Sequence, residues 1–174
     1  MNKSLVVTLI GPDRPGMVNA VSERALAHGA NWAESLMANL AGQFAGIVHL
    51  QVDADEIEAL SAELRALAAP GMQVVVAVAG GPKPAPTRRM ALCLVGHDRP
   101  GIIQTISAEL TRQGVSIATL TTAIVSGAMS GEQLFEMNAE IDVPEGVALG
   151  DIRRGLEGLA NDLMVDLEFG RKSA

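Results

Sequence analysis

Residues 5–10 form a short apolar run, and a second such run occupies residues 90–95. Each suits a β-strand that opens a structural unit. Behind the first, Val18, Val21, Ala25 and His28 recur at helical spacing. Behind the second, Ile103, Ile106 and Leu110 do the same, with Ile102 beside them. Each predicted helix stops at a glycine, Gly29 or Gly114, where a left-handed cap favours that residue. Extended segments follow at 31–41 and 116–126. The first puts Trp32, Leu36, Ala38 and Leu40 on alternate positions, interrupted by Glu34, and the second is rich in Thr and Ile, which suit strands. Hairpin turns are expected near Gly42 and, longer, over 127–131, with third strands at 44–52 and 133–141. The clearest periodicity comes next: Ile57, Leu60, Leu64 and Leu67 are spaced three, four and three residues apart, and Leu149, Ile152, Leu156 and Leu159 repeat that spacing. Each set marks one face of an amphipathic helix. Final strands at 73–78 and 163–169 close the two units.

The pattern is α+β: two ferredoxin-like βαββαβ units in tandem, each a four-stranded antiparallel sheet with two helices on one face. The expected division is 1–79 for the first domain, 80–88 for a linker and 89–174 for the second domain. Pro82, Pro84 and Pro86 fall inside the linker and exclude a helix or central strand there. The helical sets lie 149 − 57 = 92 residues apart and the opening turns 96 − 11 = 85, so the second copy carries seven more residues. They are expected in its hairpin and in the loop around 144–150. The sheet face away from the helices also carries apolar residues and needs a partner. Units of this size gain from packing on one another, and the sequence supplies a second unit in the same chain; a homo-oligomer is expected as well.

Between first strand and first helix the chain reads GPDRPG at 11–16 and GHDRPG at 96–101. Pro15 suits the first helical position, Arg14 a cap, and Asp13 then stands just outside the helix. Unpaired N–H groups at a helix start suit a carboxylate, and a neighbouring Asp suits an ammonium group. Together they fit the two ends of a free amino acid. Neither copy matches a P-loop or a dinucleotide-binding glycine pattern.

Composition narrows the field. Thirteen basic residues against twenty acidic ones leave a net charge of −7, which argues against direct nucleic-acid binding. Aromatic residues make up 2% of the chain, too few for base stacking on a sheet. His28, His49 and His97 are scattered over a helix end, a strand and a turn, so neither catalysis nor a metal centre is expected, and no cofactor is. His49 should lie on the sheet face away from the helices. The one cysteine, Cys93, sits in an apolar run and reads as a small buried hydrophobe. The first residues are too short an apolar run for a signal peptide, and no stretch approaches a membrane span. A cytoplasmic protein without membrane contact is expected.

A βαββαβ unit with Asp-Arg-Pro-Gly between its first strand and first helix resembles the ACT domain, a small-molecule-sensing regulatory module. Met17-Val18, Ile102-Ile103, Gly29-Ala30-Asn31 and Gly114-Val115-Ser116 also fit. Two such units joined by a Pro-rich linker, with Gln43-Phe44-Ala45-Gly46-Ile47 in the first, are similar to the glycine cleavage system transcriptional repressor group. The resemblance implies a non-enzymatic regulator that binds a small amino acid, glycine among the candidates, at interfaces between ACT domains. It also implies a protein partner, a transcriptional activator, in place of DNA contact. The loop of one domain would face the second strand of its neighbour. The positions implied are Gly11, Asp13, Gly16, Met17 and Asn31 in the first half, and Gly96, Asp98, Gly101, Ile102 and Ser116 in the second. Ser116 in place of Asn, and His97 in place of Pro12, mark where the two halves differ. The alternative is an ACT pair that serves association alone, or a regulatory subunit of a metabolic enzyme.

Overall fold

A computed structural model describes residues 2–80, 85–126 and 132–170. The hairpin expected at 127–131, with any of the seven extra residues it holds, and linker residues 81–84 lie outside the described residues. The chain divides into two compact units, Met1–Pro82 and Lys83–Ala174. The first contains β1 (Asn2–Pro12), α1 (Met17–Ala27), β2 (Asn31–Leu40), β3 (Gln43–Asp53), a short 3-10 turn, α2 (Ile57–Arg65) and β4 (Gln73–Ala79). The second contains β5 (Thr87–His97), α3 (Ile102–Arg112), β6 (Ser116–Ser126), β7 (Gln133–Pro144), α4 (Leu149–Leu163) and β8 (Val165–Gly170). The sheets have the orders β2-β3-β1-β4 and β6-β7-β5-β8, with every pairing antiparallel. These are two ferredoxin-like units.

Strand alternation builds each core. Leu5, Val7 and Leu9 of β1 lie beside Leu50 and Val48 of β3 and are buried. Met90, Leu92 and Leu94 of β5 repeat this against Ile141, Ala139 and Met137. The helices close over that face. From α1 the buried row is Met17, Val21 and Ala25, and from α3 it is Ile102, Ile106 and Leu110, an i, i+4, i+8 stripe in both. Val18, expected in the stripe, is 41% exposed, because the helix starts at Met17 and the stripe follows from there. Ile57, Leu60 and Leu64 of α2, and Ile152 and Leu156 of α4, complete the cores.

Both first helices end in the same cap. Ala30 and Val115 donate backbone N–H to Ala25 and Leu110, and Gly29 and Gly114 to Leu26 and Thr111. These paired bonds satisfy carbonyls that the helix leaves open, and they require a left-handed residue. Gly29 at φ 63° and Gly114 at φ 70° supply it.

Three expected features fall differently. The alternation of Trp32, Leu36, Ala38 and Leu40 is broken by a β-bulge between Trp32 and Glu34. Ala33 is the extra residue, so Trp32 opposite Leu50 faces the core, while Leu36 opposite Ile47 faces away. β6 carries the same bulge between Ile117 and Thr119. Leu163 belongs to α4 and not to the last strand; that helix ends at Met164, in the left-handed region at φ 49°. Cys93 is half-buried and lies opposite Asn138 and Glu168, on the face away from the helices and outside the core.

Candidate functional site

The strand-to-helix turn is built alike in both units. Gly16 has φ 94° and ψ −4°, and Gly101 has φ 99° and ψ −8°. Proline followed by a glycine at such a positive φ fits the two central positions of a type II turn. Pro15 therefore serves the turn and not the first helical position, and the helix begins two residues later than the proline suggests. The first helical bonds run from Ala20 N–H to Gly16 O and from Thr105 N–H to Gly101 O, each 2.9 Å. Neither glycine offers a side-chain cap. The N–H groups of residues 17–19 and 102–104 thus have no acceptor within their helices, although Met17 and Ile102 bury their side chains in the cores. Nothing stands within 4 Å of where a Cβ on Gly16 or Gly101 would lie, so the approach to these turns is open.

Asp13 and Asp98 are exposed beside the turns. Their backbone N–H groups are tied to the neighbouring hairpins, at Gly42 O (3.0 Å) and Gln133 O (3.4 Å). The side chains are held differently. Asn39 donates its amide to Asp13 Oδ2 at 2.6 Å. Asn39 lies opposite Phe44, which lies opposite Gly11; the same ladder in the second unit runs Ile124, Phe135, Gly96. Ile124 has no amide to give Asp98. Asn39 was not anticipated, yet the pairing of strands two and three beside the turn is the signal that locates it.

Asn31 and Ser116 lie elsewhere. Asn31 is opposite Gln51, which is opposite Ser4. Ser4 is eight residues from Pro12 along β1, roughly 26 Å of strand. Ser116, opposite Asp142 and hence Arg89, is as far from His97. Within one unit, therefore, loop and strand-two positions occupy opposite ends of the sheet. Gly11, Asp13, Gly16 and Met17 come together at one end, as do Gly96, Asp98, Gly101 and Ile102.

The arginines of the two turns also part company. Arg99 donates to the backbone carbonyl of Asp162 at 3.2 Å, near the end of α4. Arg14 reaches only the thioether of Met72, at 3.4 Å. The glycines that precede these turns are packed with different tightness. A Cβ on Gly96 would overlap Val165, whereas one on Gly11 would meet Met72 Cα at 3.0 Å.

His28 stands at the end of α1, 12% exposed, with Glu56 at 2.7 Å and Glu63 at 3.4 Å. The hydrogen bond to Glu56 raises its pKa; burial opposes this, and Glu63 adds to it. The position 85 residues on is Gln113, which donates to Glu109. Glu109 is held below the usual carboxylate range, first by its bond from Arg112. His49 lies on the face away from the helices, 2.9 Å from Ser4 Oγ. Among the described residues no group of three or more His, Cys, Asp or Glu is placed to hold a metal ion, and no helix is long and apolar enough to cross a membrane.

An ACT domain family model matches residues 3–77 and again residues 89–170. No curated protein matches the chain. Among solved structures, a protein of unknown function from Galdieria sulphuraria is 28% identical, with a TM-score of 0.85 over 99% of this chain and 100% of that one. A protein assigned as a glycine cleavage system transcriptional repressor is 18% identical, with a TM-score of 0.70 over 98% of this chain and 97% of that one.

Proposed function

This chain belongs to the ACT domain family, with two copies of the domain in tandem, and we propose that it is a regulatory protein that senses a small amino acid. The observation that carries the reading is the repeated turn. In each unit an open helix start, whose first N–H groups have no acceptor within the helix, stands beside an exposed carboxylate, at Asp13 or Asp98. The N–H array suits the carboxylate of an amino acid and the Asp its ammonium group. Asn31 or Ser116 of a neighbouring domain completes the site, because strand two of the same unit presents that residue at the far end of the sheet.

Glycine is the ligand we favour, and a transcriptional activator the partner. Likeness to the repressor-assigned structure motivates both choices, and the net charge of −7 favours control through a protein over contact with DNA. Titration calorimetry of the full chain with glycine and serine tests the sensor. Asp13→Ala should weaken binding about tenfold or more, the scale of one lost charge-assisted bond. Asp98→Ala should weaken it less, since Asp98 lacks an amide like that of Asn39. Equal affinity in the double variant would remove both carboxylates from the site.

One observation favours a second reading, association without a ligand. On the face of the first sheet away from its helices, Val6, Leu36, Ile47 and His49 line a groove of about 200 Å³, with Leu36 55% and Ile47 45% exposed. A second copy of the chain is the expected occupant. Sedimentation of Leu36→Glu tests it: the variant should fall to monomer where the parent chain does not.

A further inference from the structure

The first unit holds a second cleft, on the helix side of its sheet and next to the turn. It has a volume of about 170 Å³ and is lined by Met17, Val21, Leu67, Met72 and Val74, and by Arg14 and Gly16 of the turn. Its origin is the shortness of α2. That helix ends at Arg65, and seven residues, 66–72, which include a small bridge between Ala69 and Met72, lead to β4. In the second unit α4 continues to Leu163 and passes through Met164 directly into β8. There the turn arginine is occupied, because Arg99 caps the Asp162 carbonyl, and Val165 stands hard against Gly96. In the first unit α2 stops too early to offer such a carbonyl. Arg14 is left exposed, donating only to a thioether sulfur, a weak acceptor. Among the described residues Arg14 has no ion pair.

An apolar cleft with an uncommitted guanidinium at its edge fits an amphiphilic anion. We propose that this cleft binds a small carboxylic acid with a phenyl or branched aliphatic tail, the tail among Met17, Leu67 and Met72 and the carboxylate on Arg14. The volume sets the size: a cavity of ~150 Å³ takes benzene. Arginine's planar fork suits a carboxylate at two points. The cleft lies on the opposite side of the turn from Asp13, which is held by Asn39 of β2 while Arg14 leans to Met72 beside β4. It adjoins the amino-acid site proposed above, sharing Gly16 and Met17 with it, but it is contained in one unit and needs no neighbouring domain.

The test uses the full chain, with phenylacetate as the probe and the methionine methyl groups as reporters by NMR. Phenylacetate should shift the Met17 and Met72 methyl signals and leave Met90 and Met137, in the second core, unmoved. Arg14→Met should weaken binding about tenfold or more, and uncharged phenylacetamide should bind the parent chain as weakly as phenylacetate binds that variant. Leu67→Phe, which fills the cleft, should abolish binding. Arg99→Met and Asp13→Ala should each bind phenylacetate as the parent does. The proposal is overturned if Met17 and Met72 do not respond, if the amide binds as well as the acid, or if Arg14→Met, folded as the parent by circular dichroism, keeps parental affinity. Loss of glycine binding in Asp13→Ala with phenylacetate binding intact would separate the two sites.

Discussion

The two sheets present different open faces. In the first, Val6, Ile10, Leu36, Ala45, Ile47 and Val75 share the face away from the helices. In the second, the same face carries Arg89, Glu136, Glu140, Asp142, Asp166 and Glu168. There Arg89 binds both carboxylate oxygens of Asp142, at 2.6 and 2.9 Å, and Glu140 at 3.2 Å. The helix-covered faces, by contrast, alternate in the same way and bury the same kinds of residue. Duplication preserved the half of each strand that the fold needs. The other half was free to become more apolar in one copy and more charged in the other, because side chains of opposite parity never meet. Sameness of fold therefore says nothing about sameness of surface, and the two units should be expected to meet different partners.

The largest test of the shared half is to open each core. Leu60 and Leu156 are both fully buried, and Leu→Ala at such sites costs about 2–5 kcal/mol. Trp32, the one tryptophan, lies in the first unit. Urea unfolding followed by its fluorescence should shift strongly for Leu60→Ala. For Leu156→Ala circular dichroism should register the loss while the tryptophan transition holds its midpoint. Equal tryptophan shifts in both would show that the two units unfold as one.

A smaller effect is expected at the turns, where the units should agree. Gly16→Ala and Gly101→Ala meet no neighbouring atom, so each should cost only the left-handed backbone, about 1–2 kcal/mol. Calorimetric melting checks this. Unequal losses would mean that the turns are not equivalent.

The smallest effect is in pH dependence, and here the units should part. His28 has its pKa raised in the folded state. Its contribution is fully present below the unfolded value near 6.5 and is lost as pH rises through the raised one. Glu109 is lowered, so its contribution is present above the ordinary carboxylate value and is lost as pH falls through the lowered one. His28→Gln, which copies Gln113, should flatten the first unit's stability profile near neutrality and leave the acid limb unchanged.

Most of the fold was legible because burial imposes a period. Leu5, Val7 and Leu9 announce a strand, and Leu149, Ile152 and Leu156 a helix, without knowledge of any partner. The errors lie where a local rule met a competing one. Pro15 suits a first helical position, but Gly16 after it makes a turn of the pair. Leu36 and Leu40 share parity with Trp32 in the sequence, and one inserted residue moves them to the other face. Cys93 lies between Leu92 and Leu94, so its run is apolar although its own side chain faces outward. The loop residues of the candidate site were visible in the repeat itself. Asn39 and the differing tasks of Arg14 and Arg99 were not, because each depends on what a distant element, β2, α2 or α4, brings to the turn.

The paired bulges have one more consequence. β2 and β6 are sheet edges, and an edge is a template on which another chain can add a strand. A strand laid along either would find the hydrogen-bond ladder out of step at Ala33 or Ala118. Continuous pairing is available only beyond that point, from Glu34 or Thr119 onward. Both units thus carry, at the same place, an irregularity that confines any strand added on that edge to the stretch beyond it.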